Sequence, residues 1–131
     1  IHGNYTLIRC IACHTRFPAS EVPLHQLPPE CPDCHGILKS DTVSFGEPIP
    51  SDVLERCYSE TQLCDCMIVA GTSATVYPAA AFPLAVRDKG GSLIEVNLYE
   101  SELSPLATVS LRGPSADVLS RLVDKVKALR I

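Results

Sequence analysis

Apolar and polar positions follow different rules in the two parts of this chain. Up to Glu30 the apolar residues keep no sustained period. Pro18, Pro23, Pro28 and Pro29 interrupt any helical repeat between Thr15 and Glu30, which reads as an irregular loop. Ile37 to Phe45 is short, apolar and β-branched, the composition of a strand. Beyond Pro50 the period becomes helical. Val53, Leu54, Cys57 and Tyr58 share a face, Ser51 or Asp52 is available as a cap, and a helix is predicted over 52–63. Cys66 to Ala70 is a continuous apolar run, predicted to be a parallel strand buried on both faces. A helix is predicted over 78–89, stopped by Gly90-Gly91 and kinked or shortened by Pro83. Leu93 to Val96 and Thr108 to Leu111 are two further buried strands. Val118, Leu119, Leu122, Val123, Val126 and Leu129 make one apolar stripe, which predicts a terminal helix from about 116 to 129. Strand, helix, strand, strand, helix is the order of an α/β nucleotide-binding sheet, and the chain contains no internal repeat.

The irregular part carries the strongest chemical pattern. Cys10 and Cys13, then Cys31 and Cys34, form two C-x2-C pairs separated by seventeen residues, a spacing suited to structural zinc. Four thiolates fill a tetrahedral shell and leave no open position for substrate, so this metal is expected to hold structure and perform no chemistry. Disulfide-bonded or simply buried cysteines are the competing explanation. His14, His25 and His35 lie in or beside this lobe, where the cysteines already complete the shell. Cys57, Cys64 and Cys66 read as core thiols, against a redox or second metal role.

Composition narrows the partners. The 131 residues, 46% hydrophobic, suffice for one core plus a metal-pinned lobe. A net charge of −4 lacks the basic footprint that nucleic-acid binding needs. No run of 18 apolar residues suggests a membrane partner, and seven cysteines, an odd number, fit a reducing, cytoplasmic setting. The chain opens at Ile1 and its one methionine is Met67, so it reads as a piece of a longer protein.

Small or polar residues close three strands: Gly71-Thr72-Ser73, Asn97, and Gly113-Pro114-Ser115. Ligands of open parallel sheets lie beyond the carboxyl ends of the strands, and amides and hydroxyls there suit ribose and phosphate. The G-x-G-x-x-G turn is absent, and ordinary turn chemistry also explains each cluster. Phe45-Gly46-Glu47-Pro48 suits an exposed edge that meets an extended peptide, or equally a turn with a packed phenylalanine. His2 beside Gly3 is either a base with room around it or an ordinary surface histidine.

Five motifs occur in the order and spacing of one family: His2-Gly3-Asn4, the two cysteine knuckles, Val43-Ser44-Phe45-Gly46-Glu47 with Pro50, Gly71 through Ala80, and Glu95-Val96-Asn97. Together they make the chain resemble the sirtuins, NAD-dependent protein lysine deacylases with a Rossmann-type domain and a smaller zinc lobe. The wording around Val76 to Ala80 and Glu95 to Asn97 is similar to bacterial members. His35 and Ala74 depart from the family's usual glycine and leucine. The resemblance implies an α/β fold with a partial Rossmann-like parallel sheet plus a small zinc-ribbon lobe. Residues 1–47 would form the lobe and 48–131 the carboxyl-terminal half of the NAD-binding domain.

The resemblance also implies roles. His2 matches the general base that takes a proton from a ribose hydroxyl of NAD, which lets the acyl group pass from lysine to ADP-ribose as nicotinamide leaves. Gly71, Thr72 and Ser73, Asn97 with Leu98 and Tyr99, and Ser115 match NAD contacts. Val43, Phe45, Gly46 and Glu47, with Val76, match the two edges between which an acyl-lysine protein or peptide adds as a strand. Cys10, Cys13, Cys31 and Cys34 match the Zn2+ ligands. A complete sirtuin begins earlier, with a glycine-rich phosphate loop, so this chain alone is expected not to turn over NAD. It is expected either to self-associate through a truncated sheet edge or to rearrange near 46–64. A sirtuin-type mono-ADP-ribosyltransferase and a non-catalytic zinc-ribbon module are the alternatives.

Overall fold

The computed structural model describes residues 1–23 and 27–129, which divide into a unit ending at Val53 and a unit beginning at Leu54. In the first, β1 (Gly3–Cys10) is the centre of a three-stranded antiparallel sheet, between β2 (Arg16–Pro18) and β3 (Leu38–Thr42). Cys10 faces Leu38 and Gly3 faces Thr42, with a slip of register between Asn4 and Ile8. The stretch expected to be irregular from Thr15 is therefore partly ordered: β2 pairs Pro18 with Leu7 and Arg16 with Arg9, and a 3-10 turn follows over Ala19–Glu21. Proline is tolerated there because β2 is an outer strand whose free edge needs no donor. His25 falls in 24–26, outside the described residues. β3 is shorter than the predicted 37–45, because the chain turns after Val43, where the Glu47 N–H donates to the Ser44 carbonyl at 3.0 Å.

The buried apolar cluster of this unit is small. Cys10, Cys31 and Leu38 form it, with Ile8, Phe17 and Val22 packed against it. Two of its three buried members are the candidate metal ligands, so the core and the metal site are one structure.

Helix α1 (Ser51–Leu63) runs on into the second unit. There β4 (Cys66–Ala70), β5 (Ser92–Asn97) and β6 (Val109–Arg112) make a parallel sheet in that order. Helix α2 (Ala81–Asp88) connects β4 to β5, and α3 (Ser115–Leu129) follows β6. Helix α2 is shorter than the predicted 78–89, one of the two outcomes expected of Pro83. The helix starts at Ala81, which puts Pro83 in the first turn, where its missing N–H has no partner to lose. Val86, Leu93, Val96 and Leu103 are buried, with Phe82 edge-on to Tyr58 at 5.4 Å between ring centres.

Several expectations about burial need correcting. β6, expected to be buried, is mostly open, with Val109 and Ser110 exposed and Leu111 half-buried. β4 is not covered on both faces: Cys66, Ile68 and Ala70 are exposed, while Met67 and Val69 are half-buried. Cys66 is thus not a core thiol, and Cys57 and Cys64 are only half-buried. The stripe on α3 is likewise open at its end, with Leu129 82% exposed. Among the described residues the outer edge of β4 pairs with no strand.

Candidate functional site

The four cysteine sulfurs converge. Each offers one atom, and all lie within 4.8 Å of one another. Cys10 and Cys34 are 3.5 Å apart at sulfur, Cys13 and Cys31 3.7 Å. A tetrahedral ion with bonds of about 2.3 Å requires edges of about 3.8 Å, close to these two separations, so the cluster suits zinc. The two knuckles repeat one design. His14 N–H donates to the Cys10 carbonyl at 3.1 Å and His35 N–H to the Cys31 carbonyl at 2.9 Å, and both histidines adopt positive φ, 61° and 60°. That left-handed position explains why glycine would be easier at His35. Gly36 is required: a Cβ there would stand 2.8 Å from that of Ala12 and 3.0 Å from the Cys10 sulfur.

The thiols cannot all ionise by themselves. The Thr15 hydroxyl and then its backbone lower Cys13 to about 6. At Cys34 the Gly36 N–H pulls downward, but the neighbouring thiols of Cys13 and Cys10 prevail and push it up to about 12. A divalent cation lets four thiolates coexist in that volume. His14 and His35 do not join the cluster.

His2 and the 43–47 segment meet in the first unit. The Val43 N–H donates to the His2 carbonyl at 2.9 Å, extending the β1–β3 ladder past Thr42. Gly3, at φ 85°, allows this, since a Cβ there would run into the Asp41 carbonyl. The His2 side chain is exposed. Phe45 is 95% exposed, so it is not the packed aromatic of an ordinary turn, and Gly46 beside it has φ 81°. The Glu47 carboxylate is turned back onto Arg9, Lys39 and the Ser44 N–H.

In the second unit the three strand ends are tied to one another. Gly71 N–H donates to the Val96 carbonyl at 2.9 Å, and Gly113 N–H to that of Asn97 at 3.1 Å. Asn97 Nδ2 reaches the Thr72 carbonyl at 2.7 Å, while its Oδ1 accepts from Leu98 N–H at 3.0 Å. Gly71, at φ 62°, leaves a space that a Cβ would bring to 3.3 Å from Ser115 Oγ. Thr72 Oγ1 accepts from Ala74 N–H at 3.1 Å, and Ser73 shares a 2.9 Å bond with Thr75. Leu98 and Tyr99 are exposed, and Val76 is exposed ahead of α2. Exposed backbone groups and hydroxyls at the carboxyl end of a parallel sheet suit a nucleotide.

Sequence reasoning missed the role of Glu95. Its side chain is buried on β5, where it accepts from Ser101, from Ser104 Oγ at 2.7 Å, from Ser110 Oγ at 3.1 Å and from Arg112 Nη1 at 2.7 Å. Burial raises its pKa, but these donors prevail and hold it at about 2. The carboxylate thereby fastens the 98–106 connection beside Asn97. Ser110 could have been found, because it faces Glu95 across the ladder; the loop serines carry no periodic signal.

The Sir2 family model matches residues 1–78. NAD-dependent protein deacylase 1 of Archaeoglobus fulgidus is 42% identical over 127 residues, which cover 97% of this chain and 52% of that protein. The NAD-dependent protein deacylase of Thermococcus kodakarensis is 40% identical, with the same coverage of each. Among solved structures, a Sir2 homolog–NAD complex superposes with a TM-score of 0.87 at 41% identity, covering 98% of this chain and 50% of that one. Sir2Tm bound to a propionylated peptide gives 0.81 at 30% identity, with 97% and 55% covered. The chain spans about half the length of the curated relatives it matches.

Proposed function

Since this chain belongs to the Sir2 family, we propose that it is the metal lobe and part of the nucleotide site of an NAD-dependent protein lysine deacylase. The observation that carries the reading is the backbone bond between His2 and Val43, which puts a histidine beside the exposed 43–47 turn. In the proposed division, 1–47 is the zinc-binding lobe and 48–131 belongs to the NAD-binding domain. Cys10, Cys13, Cys31 and Cys34 hold Zn2+, whose contribution is folding. Gly71, Thr72, Ser73, Asn97, Leu98, Tyr99 and Ser115 hold NAD, which supplies the acceptor for the acyl group and leaves as nicotinamide and acyl-ADP-ribose. His2 takes a hydroxyl proton on its imidazole nitrogen, a task suited to a base working near neutral pH. Val43, Phe45 and Gly46, with Val76, offer strand edges to an acyl-lysine peptide. Asn97 orients the 71–73 turn through Thr72. The reducing cytoplasm, where the four thiols stay available to metal, suits this site.

The test is His2→Ala in the full-length protein that carries this chain. Deacylation of an acetyl-lysine peptide is expected to fall by roughly 10² to 10⁴ while zinc content stays constant. An unchanged rate would remove His2 from the reaction.

A further inference from the structure

Three of the roughly four acceptor positions of the Glu47 carboxylate are taken within its own unit. Oε2 accepts from Lys39 Nζ at 3.0 Å and from Ser44 N–H at 3.1 Å, and Oε1 accepts from Arg9 Nη2 at 3.3 Å. Lys39 Nζ also donates to the carbonyl of Thr42, the last residue of β3, at 2.6 Å. Arg9 is bound in turn to Asp41, whose second oxygen takes Arg16 Nε at 2.8 Å. One chain of charges therefore crosses all three strands of the ribbon and ends on the 43–47 segment.

That segment has little else to hold it. Ser44, Phe45 and Gly46 are exposed, so no apolar burial fixes their conformation. Gly46 adds the freedom of a residue at φ 81°. What remains is the 2.9 Å bond from Val43 N–H to the His2 carbonyl at its start, the 3.0 Å bond from Glu47 N–H to the Ser44 carbonyl, and the grip of the Glu47 carboxylate. Its cations lie next to the metal core, since Arg9 precedes Cys10, Lys39 follows Leu38, and Arg9 and Lys39 face each other across the β1–β3 ladder.

We propose that Glu47 is a positioning residue, which holds the peptide-binding segment 43–47 on the strands leading into the metal site through Lys39 and Arg9. Its carboxylate does not contact the acyl-lysine peptide. The proposal rests on the reading of 43–47 as the peptide edge, and its test separates the two.

Glu47→Gln keeps the shape and one acceptor but removes the charge, and Lys39→Met removes a donor from the other side. In the full-length protein each single variant is expected to raise KM for an acetyl-lysine peptide by about tenfold, the scale of one charge-assisted hydrogen bond, and to leave kcat and KM for NAD within about twofold. The double variant should be no worse than the worse single one, because both changes break one connection. In the zinc-loaded chain, amide exchange at Ser44 should speed up in both variants while the amides of Leu38–Thr42 keep their protection. Additive effects on KM with unaltered Ser44 exchange would mean that Glu47 touches the peptide, and would overturn the proposal. Faster Ser44 exchange without any change in peptide KM would keep Glu47 as the anchor but show that 43–47 is not the peptide edge, which overturns the positioning role in binding. If Glu47→Gln fails to fold, the Lys39→Met arm gives the same two readouts.

Discussion

The two units hold themselves together by different means. In the first, the buried apolar cluster is Cys10, Cys31 and Leu38, and the remaining order comes from sulfur, backbone ladders and a line of ion pairs from Arg16 to Glu47. In the second, Val86, Leu93, Val96 and Leu103 are buried beside a parallel sheet, and the one carboxylate among them is saturated with donors. A short stretch of chain that cannot bury enough apolar surface needs another source of free energy, and a four-cysteine metal site supplies it. The sheet unit buries an apolar core of its own. Its polar residues serve to fix loops.

The sharpest way to break that comparison is to remove the metal. Structural zinc contributes on the order of 10 kcal/mol to folding. A strong chelator should therefore abolish amide protection in Ile8–Cys10 and Leu38–Thr42 and leave it in Leu93–Val96. Loss of protection in both units together would show that the sheet unit also depends on the ion.

A smaller effect tests the second unit on its own terms. Glu95→Ala leaves the serine hydroxyls and Arg112, itself 36% exposed, without their carboxylate and is expected to cost about 2 to 3 kcal/mol, the scale of hydrogen bonds to a charged group with water able to reach the arginine. The same group sets a pH dependence. Its folded pKa, about 2, lies below the ordinary carboxylate value of about 4.3, so its contribution is full above the latter and is lost as pH falls toward the former. Urea midpoints of the second unit should drop between about pH 5 and pH 2, and less so in Glu95→Gln. Equal slopes in the two proteins would mean that other carboxylates carry the acid sensitivity.

How far this was legible in the sequence follows from the same contrast. The sheet unit was readable because its elements announce themselves by period: the apolar stripe from Val118 predicted α3, and the run at Cys66 predicted β4. What failed there was burial, since a continuous apolar run specifies a strand that could be covered on both faces, while covering it takes partners; Ile68 remains 52% exposed. In the metal unit the cysteine spacing located the site, but β1 went unread. Its sequence, GNYTLIRC, alternates poorly, and its place in the sheet is set by the cysteine at its end and by Gly3 at its start. The five motifs located residues such as Glu47 but not their partners. Arg9, 38 residues away, is a long-range contact that no local pattern encodes.

The smallest expected effect concerns Lys89, which closes two helices of the second unit. Its N–H donates to the Ala85 carbonyl at the end of α2, and its Nζ reaches the carbonyls of Thr61 and Gln62, the last turn of α1, at 2.6 Å each. Those carbonyls have no backbone partner further along α1, the Thr61 carbonyl taking only the Cys64 thiol at 3.7 Å besides Lys89, and a cation at a helix carboxyl end also meets the negative pole of the helix. Lys89→Met keeps the stem and the backbone donor and removes only the ammonium. Because the side chain is largely exposed and water can replace it, the loss should be about 1 kcal/mol, and it should shrink in high salt. Urea unfolding of the second unit at low and high ionic strength measures it, with zinc content as the control for the first. A loss several times larger and insensitive to salt would mean that Lys89 is a buried connector, and that the sheet unit, like the metal unit, depends on a charge network for its fold.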